Sequence, residues 1–452
     1  MKVQFCGAAR KVTGSCYYIE TSTKKLLVDC GLHQGKQVCD DCNLEEFPFD
    51  PSTVDAVFLT HAHLDHCGRL PRLVQKGFNG KIYGTKPTME LANLILEDSV
   101  HILEEEALEK DREPVFTEED YIATVPLFEN LDYHEVLQLD DNITVELFDA
   151  GHILGSSMVK ITADGESIVF SGDMGNSPTP LLNNIEHIKE ASYVVMESTY
   201  GGRVHEDKNT RQLLLQSAIY ETIIMGGVLM IPAFAMERTQ EILYELNELV
   251  NNKDIPPVTI FLDSPLAIKA TQVFKDNDDY FNLETQEIID SGDDIFNFPG
   301  LRMTLRTNES KQINGYPAPK VIIAGSGMAQ GGRITHHIER YIGHYANQYL
   351  IVGYQVEGSL GRQILDGKKK ILVKGEEYEV NAKVRAIGGY SAHADQPKLT
   401  TWITGFDTSK LKGVFITHGE EDQAFALQRH LQQCLPEHVD IQVPEERYIA
   451  EL

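Results

Sequence analysis

The chain lacks any apolar run long enough to span a bilayer, which takes about 20 residues. Its opening residues, Met1-Lys2-Val3-Gln4-Phe5, read as a strand and not as a secretion signal. Cysteine is scarce: seven in 452 residues, odd in number and scattered. That argues against a disulfide framework and favours a reducing cytoplasm. Cys39-Asp40-Asp41-Cys42 is the sole C-x-x-C spacing, with no second one to complete a metal knuckle, so ordinary loop thiols are expected. Basic residues are also few. Lys and Arg number 40 against 68 Asp and Glu, a formal net charge of -28. Phosphate binding usually shows a basic face, so a simple nucleic-acid-binding module is disfavoured. A narrow groove lined by metal ions, arginine and backbone N–H groups stays open, because it acts locally. Internal repeats and low-complexity tracts are absent. At 452 residues the chain exceeds one typical domain, and a 42% hydrophobic content supports ordinary cores.

What the chain does have is His61-Ala62-His63-Leu64-Asp65-His66, placed where the apolar run Ala56-Val57-Phe58-Leu59-Thr60 should end as a buried strand. Imidazole and carboxylate together suit zinc or a similar first-row ion. One tight loop cannot turn four such side chains onto one ion. It can send the two leading histidines to one ion and Asp65 with His66 to a neighbour, as in a two-metal hydrolase. Other apolar runs close on the same residue types: Leu26-Leu27-Val28 on Asp29, Leu147-Phe148 ahead of His152, Val169-Phe170 ahead of Asp173, Val194-Val195-Met196 on Glu197, and Phe415-Ile416-Thr417 on His418. In open α/β sheets the binding crevice lies at the carboxyl ends of strands.

Beyond Tyr200 the texture changes to helices alternating with strands. Helices are expected at Thr210–Ile224 and Arg238–Val250, and strands at Gly227–Pro232, Val258–Leu262, Lys320–Ala324 and Tyr349–Val352. This alternation predicts a parallel sheet flanked by helices. Metal motifs resume after about Gly361, so one domain is split by an inserted second one. Gly325-Ser326-Gly327-Met328 and Gly331-Gly332-Arg333 follow a strand and precede the helix-like Ile334–Ile342, a turn that offers backbone N–H groups to phosphate. His336 and His337 read as a solvated or packed helix face.

On these residues the chain resembles the metallo-β-lactamase superfamily. Its H-x-H-x-D-H motif corresponds to His61, His63, Asp65 and His66, its distant His to His152, its bridging Asp to Asp173, and its first acidic motif to Asp29. Met196-Glu197-Ser198-Thr199-Tyr200-Gly201, Ser391-Ala392-His393-Ala394-Asp395 and Thr417-His418-Gly419-Glu420 resemble motifs A, B and C of the β-CASP nucleases. The resemblance implies an α/β fold: an αββα sandwich with an inserted β-CASP domain of parallel sheet flanked by helices. The layout is then residues 1–205, an insertion over 206–360, and 361–452, with the active site in the cleft between the domains.

The resemblance further implies two zinc ions per chain, manganese being the alternative ion. His61, His63 and His152 would hold the first, Asp65, His66 and His418 the second, and Asp173 both. Asp65 is also placed to orient or accept the water proton, His393 is the candidate general acid, and Glu197 its orienting partner. Ser326, Gly327, Gly332, Arg333 and Ser391 are candidate substrate contacts. Pro232-Ala233-Phe234-Ala235 resembles a further family segment, although Glu237 departs from the glycine common there. The activity implied is endonucleolytic hydrolysis of single-stranded RNA, in the manner of stand-alone relatives of the pre-mRNA cleavage enzyme, with 5′-phosphate and 3′-hydroxyl ends. A KH extension and the C-terminal domain of RNase J are read as absent, which disfavours 5′ exonuclease action. His418 resembles the RNA-acting branch, where the DNA-acting branch tends to carry Val. A small-molecule metallo-hydrolase and a noncatalytic RNA-binding scaffold are the rivals; the first leaves Glu197 and His393 unused, and the second typically loses ligands. A cytoplasmic protein with no membrane partner is expected, and the helices of the insertion allow a homodimer.

Overall fold

The computed structural model describes residues 1–34, 42–205, 210–353 and 355–452. It forms two compact units, Met1–Val204 with Ala392–Leu452, and His205–Ser391.

In the first unit the strands make two seven-stranded sheets. One runs Ile449–Glu451, Lys2–Phe5, Tyr17–Glu20, Lys25–Val28, Ala56–Phe58, Lys81–Gly84, Phe128–Asn130. The other runs Asp440–Gln442, Gly413–Thr417, Tyr193–Glu197, Glu166–Phe170, Ser157–Ala163, Ile143–Asp149, Leu137–Asp140. Side chains alternate between the faces of a strand, and here each face meets a different layer. Phe170, Val195 and Phe415 join Phe5, Val28 and Phe58 between the sheets. Val169, Val194, Met196, Val414 and Ile416 point the other way, onto Leu399, Trp402, Ile403, Leu427 and Leu431 of helices Gln396–Thr404 and Glu421–Cys434. Strands covered on both sides read as unbroken apolar runs, which is why they were visible in the sequence. Each such fully buried side chain contributes roughly 1.5–3 kcal/mol of transfer free energy. Helix Lys86–Glu109 opens with Thr85, whose hydroxyl accepts from the Thr88 N–H, and with Pro87 in its first turn.

The second unit holds a six-stranded, all-parallel sheet in the order Leu301–Met303, Thr259–Leu262, Lys320–Ala324, Val228–Pro232, Gln348–Ile351, Lys383–Ala386. Helices Arg211–Met225, Arg238–Asn251, Pro265–Lys275 and Ile334–Tyr341 accompany it. The second division of the chain falls later than residue 361, at Ser391 and Ala392. Lys383–Ala386 pairs with Gln348–Ile351, and Ile364, Ile371 and Val373 enter this unit's core, so residues 361–391 pack with the insertion.

Among the described residues five cysteines are free, four of them buried. Cys42 is disulfide-bonded, which corrects the expected loop thiol; the loop sequence carries no sign of the state of its sulfur. Cys39 lies outside the described residues. Among the described residues no helix is long and apolar enough to cross a membrane.

Candidate metal centre

Five strands of the first unit bring their carboxyl ends to one region. Lys25–Val28 and Ala56–Phe58 run parallel in one sheet, and Glu166–Phe170, Tyr193–Glu197 and Gly413–Thr417 run parallel in the other. Asp29, His61, Asp173, Glu197 and His418 lie at or just beyond those ends.

The His61–His66 loop is shaped by its surroundings. His63 precedes a single helical turn, Leu64–Cys67, which carries Asp65 and His66, and the His66 ring lies 4.0 Å from that of His61. Gly31 lets this turn approach, since a Cβ there would fall 1.6 Å from the Asp65 carbonyl oxygen. Asp29 is fully buried and fixes both ends of the loop. One oxygen accepts from the Thr60 N–H at 2.8 Å; the other accepts from the Thr60 hydroxyl at 2.9 Å and faces His66 Nδ1 at 2.7 Å. With Nδ1–H spent on Asp29, His66 presents Nε2 to the centre. His152 is oriented in the same way, its Nδ1 lying 3.2 Å from the Ala392 carbonyl.

Two sets of donors result. In the first, His63 Nδ1 is 3.1 Å from His61 Nε2 and 3.2 Å from His152 Nε2, and Asp173 Oδ2 is 3.5 Å from both Nε2 atoms. In the second, His66 Nε2 and His418 Nε2 are 3.2 Å apart and Asp65 Oδ2 is 3.4 Å from His418 Nε2. Asp173 Oδ1 lies 3.3 Å from both His66 Nε2 and His418 Nδ1. Ligands about 2.0–2.1 Å from a tetrahedral zinc lie about 3.3 Å from one another, and these spacings bracket that edge. Asp173 is buried, and its Oδ1 has no hydrogen-bond partner among the described residues. An orphaned carboxylate oxygen between two crowded imidazole sets fits a pair of cations, one on each side.

Charge in the first donor set agrees with that fit. Burial pushes the His63 ring down to about 4, and burial first, then neighbouring histidines, hold His61 and His152 well below the usual range. These rings are therefore neutral at pH 7, the form that binds metal.

Beside the centre, residues 392–394 pair with 174–176: the Asn176 N–H donates to the Ala392 carbonyl and the Ala394 N–H to the Met174 carbonyl. That register sets His393 Nδ1 3.2 Å from Glu197 Oε1 and 3.8 Å from Asp173 Oδ2. Glu197 is itself held by the N–H groups of Met174 at 2.6 Å and Thr199 at 3.2 Å. Burial alone would lower the His393 pKa; the charges of Glu197 and Asp173 outweigh it and raise the ring to about 9. His393, Glu197 and Asp173 also form a third donor cluster. Because Asp173 already belongs to the first set and lies 3.3 Å from two rings of the second, this one reads as a carboxylate–imidazole pair.

In the second unit Ser326, Gly327, Gly332 and Arg333 form one turn between strand Lys320–Ala324 and helix Ile334–Tyr341, and Ser391 ends the unit. Arg333 was expected at phosphate. Its guanidinium instead meets Asp263 Oδ1 at 2.8 Å and donates to the carbonyls of Thr304 at 2.7 Å and Leu305 at 2.9 Å, so it braces the turn. His337 is packed, with Nε2 2.7 Å from Asp263 Oδ2, and His336 is exposed, as expected of a helix face. Sequence reasoning missed Thr60, the Ala392 carbonyl and Asp263. Thr60 stands next to His61 and was open to notice; the other two become visible only when distant segments meet.

Comparisons with known proteins agree with this geometry. Residues 9–194 match the metallo-beta-lactamase superfamily, residues 239–364 the Beta-Casp domain, and residues 377–444 the Zn-dependent metallo-hydrolase RNA specificity domain. Ribonuclease TTHA0252 of Thermus thermophilus is 37% identical, covering 94% of this chain and 95% of that one. An RNase J-like protein of Methanocaldococcus jannaschii is 31% identical over 94% of each chain. Transcription termination factor FttA of the same organism is 31% identical over 94% of this chain and 67% of its own. A crystal structure of a protein of unknown function from Enterococcus faecalis shares the fold at a TM-score of 0.58 and 14% identity, covering 100% of this chain and 99% of that one. The chain belongs to the β-CASP ribonucleases of the metallo-β-lactamase superfamily and is a metal-dependent hydrolase.

Proposed function

We propose that the protein is a zinc-dependent endoribonuclease that hydrolyses phosphodiester bonds of single-stranded RNA and leaves 5′-phosphate and 3′-hydroxyl ends. The observation that carries this reading is Asp173, one oxygen among His61, His63 and His152 and the other 3.3 Å from His66 and His418, with the His393–Glu197 pair alongside. His61, His63 and His152 would hold one ion, Asp65, His66 and His418 the other, and Asp173 both. When bound, two such ions acidify the attacking water and neutralise the charge that gathers on phosphate.

The chain's own residues do the rest. Asp65 orients the water and takes up its proton. Hydroxyl adds to phosphorus, which becomes the 5′-phosphate, and the P–O3′ bond breaks. His393 gives the departing O3′ a proton, leaving a 3′-hydroxyl. Glu197 holds His393 in place and favours its protonated form. With Asp173 engaged by cations, Glu197 is the carboxylate left to support that charge. The glycine-rich turn of Ser326, Gly327 and Gly332 offers the N–H groups of Gly327 and Gly332 to the RNA backbone, Arg333 braces the turn through Asp263, and Ser391 donates its hydroxyl to phosphate.

The test is a zinc-supplemented digest of 5′-labelled single-stranded RNA, with the His393→Ala protein in parallel. Internal labelled fragments ending in 3′-hydroxyl, from the wild type only, are expected. Labelled mononucleotides would replace the endonuclease by a 5′ exonuclease, and intact RNA would overturn the reading.

A further inference from the structure

In the parallel sheet of the second unit, strands Val228–Pro232 and Lys320–Ala324 are neighbours. The chain leaves the first toward Thr259–Leu262 on one side and the second toward Gln348–Ile351 on the other. This is a topological switch point of the sheet, the kind of place beyond the strand ends where open α/β sheets bind ligands. Phe234 lies two residues past the first of these strands, 39% exposed.

A single exposed phenylalanine is ordinary on a protein surface. This one is built in. Its backbone is pinned: the Ala233 N–H donates to the Ala324 carbonyl at 3.1 Å, and the Thr239 hydroxyl donates to the Phe234 carbonyl at 2.6 Å. Its ring rests on glycine backbone from two other strand ends. A Cβ at Gly327 would come within 2.7 Å of the ring, and one at Gly353 within 3.5 Å. Gln355 ties those two segments together, its Nε2 donating to the Gly327 carbonyl at 3.0 Å and the Gly353 carbonyl at 3.1 Å. The result is a partly exposed aromatic ring, backed by main chain, beside a glycine-rich turn.

We propose that Phe234 is a stacking platform for one unpaired RNA base, the neighbouring turn taking up that nucleotide's phosphate. The proposal rests on the ribonuclease reading above and deepens it by assigning a residue to single-strand selection. Stacking on an aromatic ring tolerates any base, because every base has a π-face. A base inside a duplex is not available to stack, so the platform selects single strands without selecting sequence. It also supplies affinity that a surface of net charge -28 does not supply by attracting phosphate at long range.

The test uses unstructured, 5′-labelled RNAs in which a base-free ribose is moved one position at a time past the cleaved bond. kcat and KM are measured in zinc-supplemented buffer for the wild type, Phe234→Leu and Phe234→Trp, after matching their melting temperatures. In the wild type, a missing base at one position should raise KM about tenfold with little change in kcat. Phe234→Leu should raise KM about tenfold for intact RNA and lose the extra penalty at that position, and Phe234→Trp should behave as the wild type. An unchanged KM in Phe234→Leu, or the same positional penalty in all three proteins, overturns the platform while leaving the ribonuclease reading in place. A wild type that cuts none of the RNAs overturns both.

Discussion

Asp173 in the first unit and Asp263 in the second are both buried carboxylates set among histidine and other polar side chains, and they differ in how their oxygens are satisfied. Asp263 has a full complement. Oδ1 accepts from the Thr304 hydroxyl at 2.7 Å and from Arg333 at 2.8 Å, and Oδ2 from the Ser310 hydroxyl at 2.8 Å and from His337 at 2.7 Å. Five imidazoles surround Asp173, yet four stand off at 3.3–3.5 Å and His393 at 3.8 Å, and Oδ1 has no hydrogen-bond partner among the described residues. Buried polar groups are costly when unpaired. The closed cluster around Asp263 needs nothing more and acts as structure. The open cluster around Asp173 is complete only with cations between its members.

The sharpest way to break this comparison is to remove each carboxylate in turn. Asp173→Ala should abolish RNA cleavage, reduce bound zinc below two ions per chain, and lose the rise in melting temperature that zinc gives the wild type, since a ligand bound only by the folded state stabilises it. Asp263→Ala should keep two zinc ions and instead lose roughly 3–5 kcal/mol of stability, because it strands buried partners of an ion pair. Zinc analysis and denaturant melts check both, and equal zinc loss in the two variants would dissolve the distinction. His393→Ala should keep its zinc and lose about 10²–10⁴-fold in kcat as a missing general acid; full turnover contradicts that role. Asp29→Asn, which disturbs the partner of both His66 and Thr60, should cost about 10–100-fold in zinc affinity or activity.

The smallest effect is one of pH. Burial alone would raise the Asp263 pKa, but donors from His337, Thr304, Ser310 and Arg333 bring it down to about 2. A carboxylate whose pKa is lower folded than unfolded adds stability above about pH 4, and that stability is lost as pH falls from about 4 toward 2. The stability gap between the wild type and Asp263→Asn should therefore shrink across this window. A gap constant with pH would place the origin of the stabilisation elsewhere.

The open cluster was legible in the sequence and the closed one was not, for a physical reason. His61, His63, Asp65 and His66 stand in one loop, and Asp173, Glu197 and His418 each follow an apolar strand, so strand direction alone brings them to one region. Asp263 also follows a strand, but its partner His337 is 74 positions away on a helix whose other histidine faces solvent. Strands Leu301–Met303 and Lys383–Ala386 were missed because they are short and, at the sheet edges, lack the apolar runs of central strands. The packing of residues 361–391 with the insertion was hidden for a related reason: Ile371 and Val373 reach the core from a two-stranded hairpin whose other strand, Glu376–Glu379, is mostly exposed.

The most direct measurement is diffraction from zinc-soaked crystals recorded on either side of the zinc absorption edge. The account predicts two anomalous peaks roughly 3.5–4 Å apart, one among His61, His63 and His152 and one among Asp65, His66 and His418, with Asp173 between them. A single peak, or a pair that leaves Asp173 untouched, would contradict it.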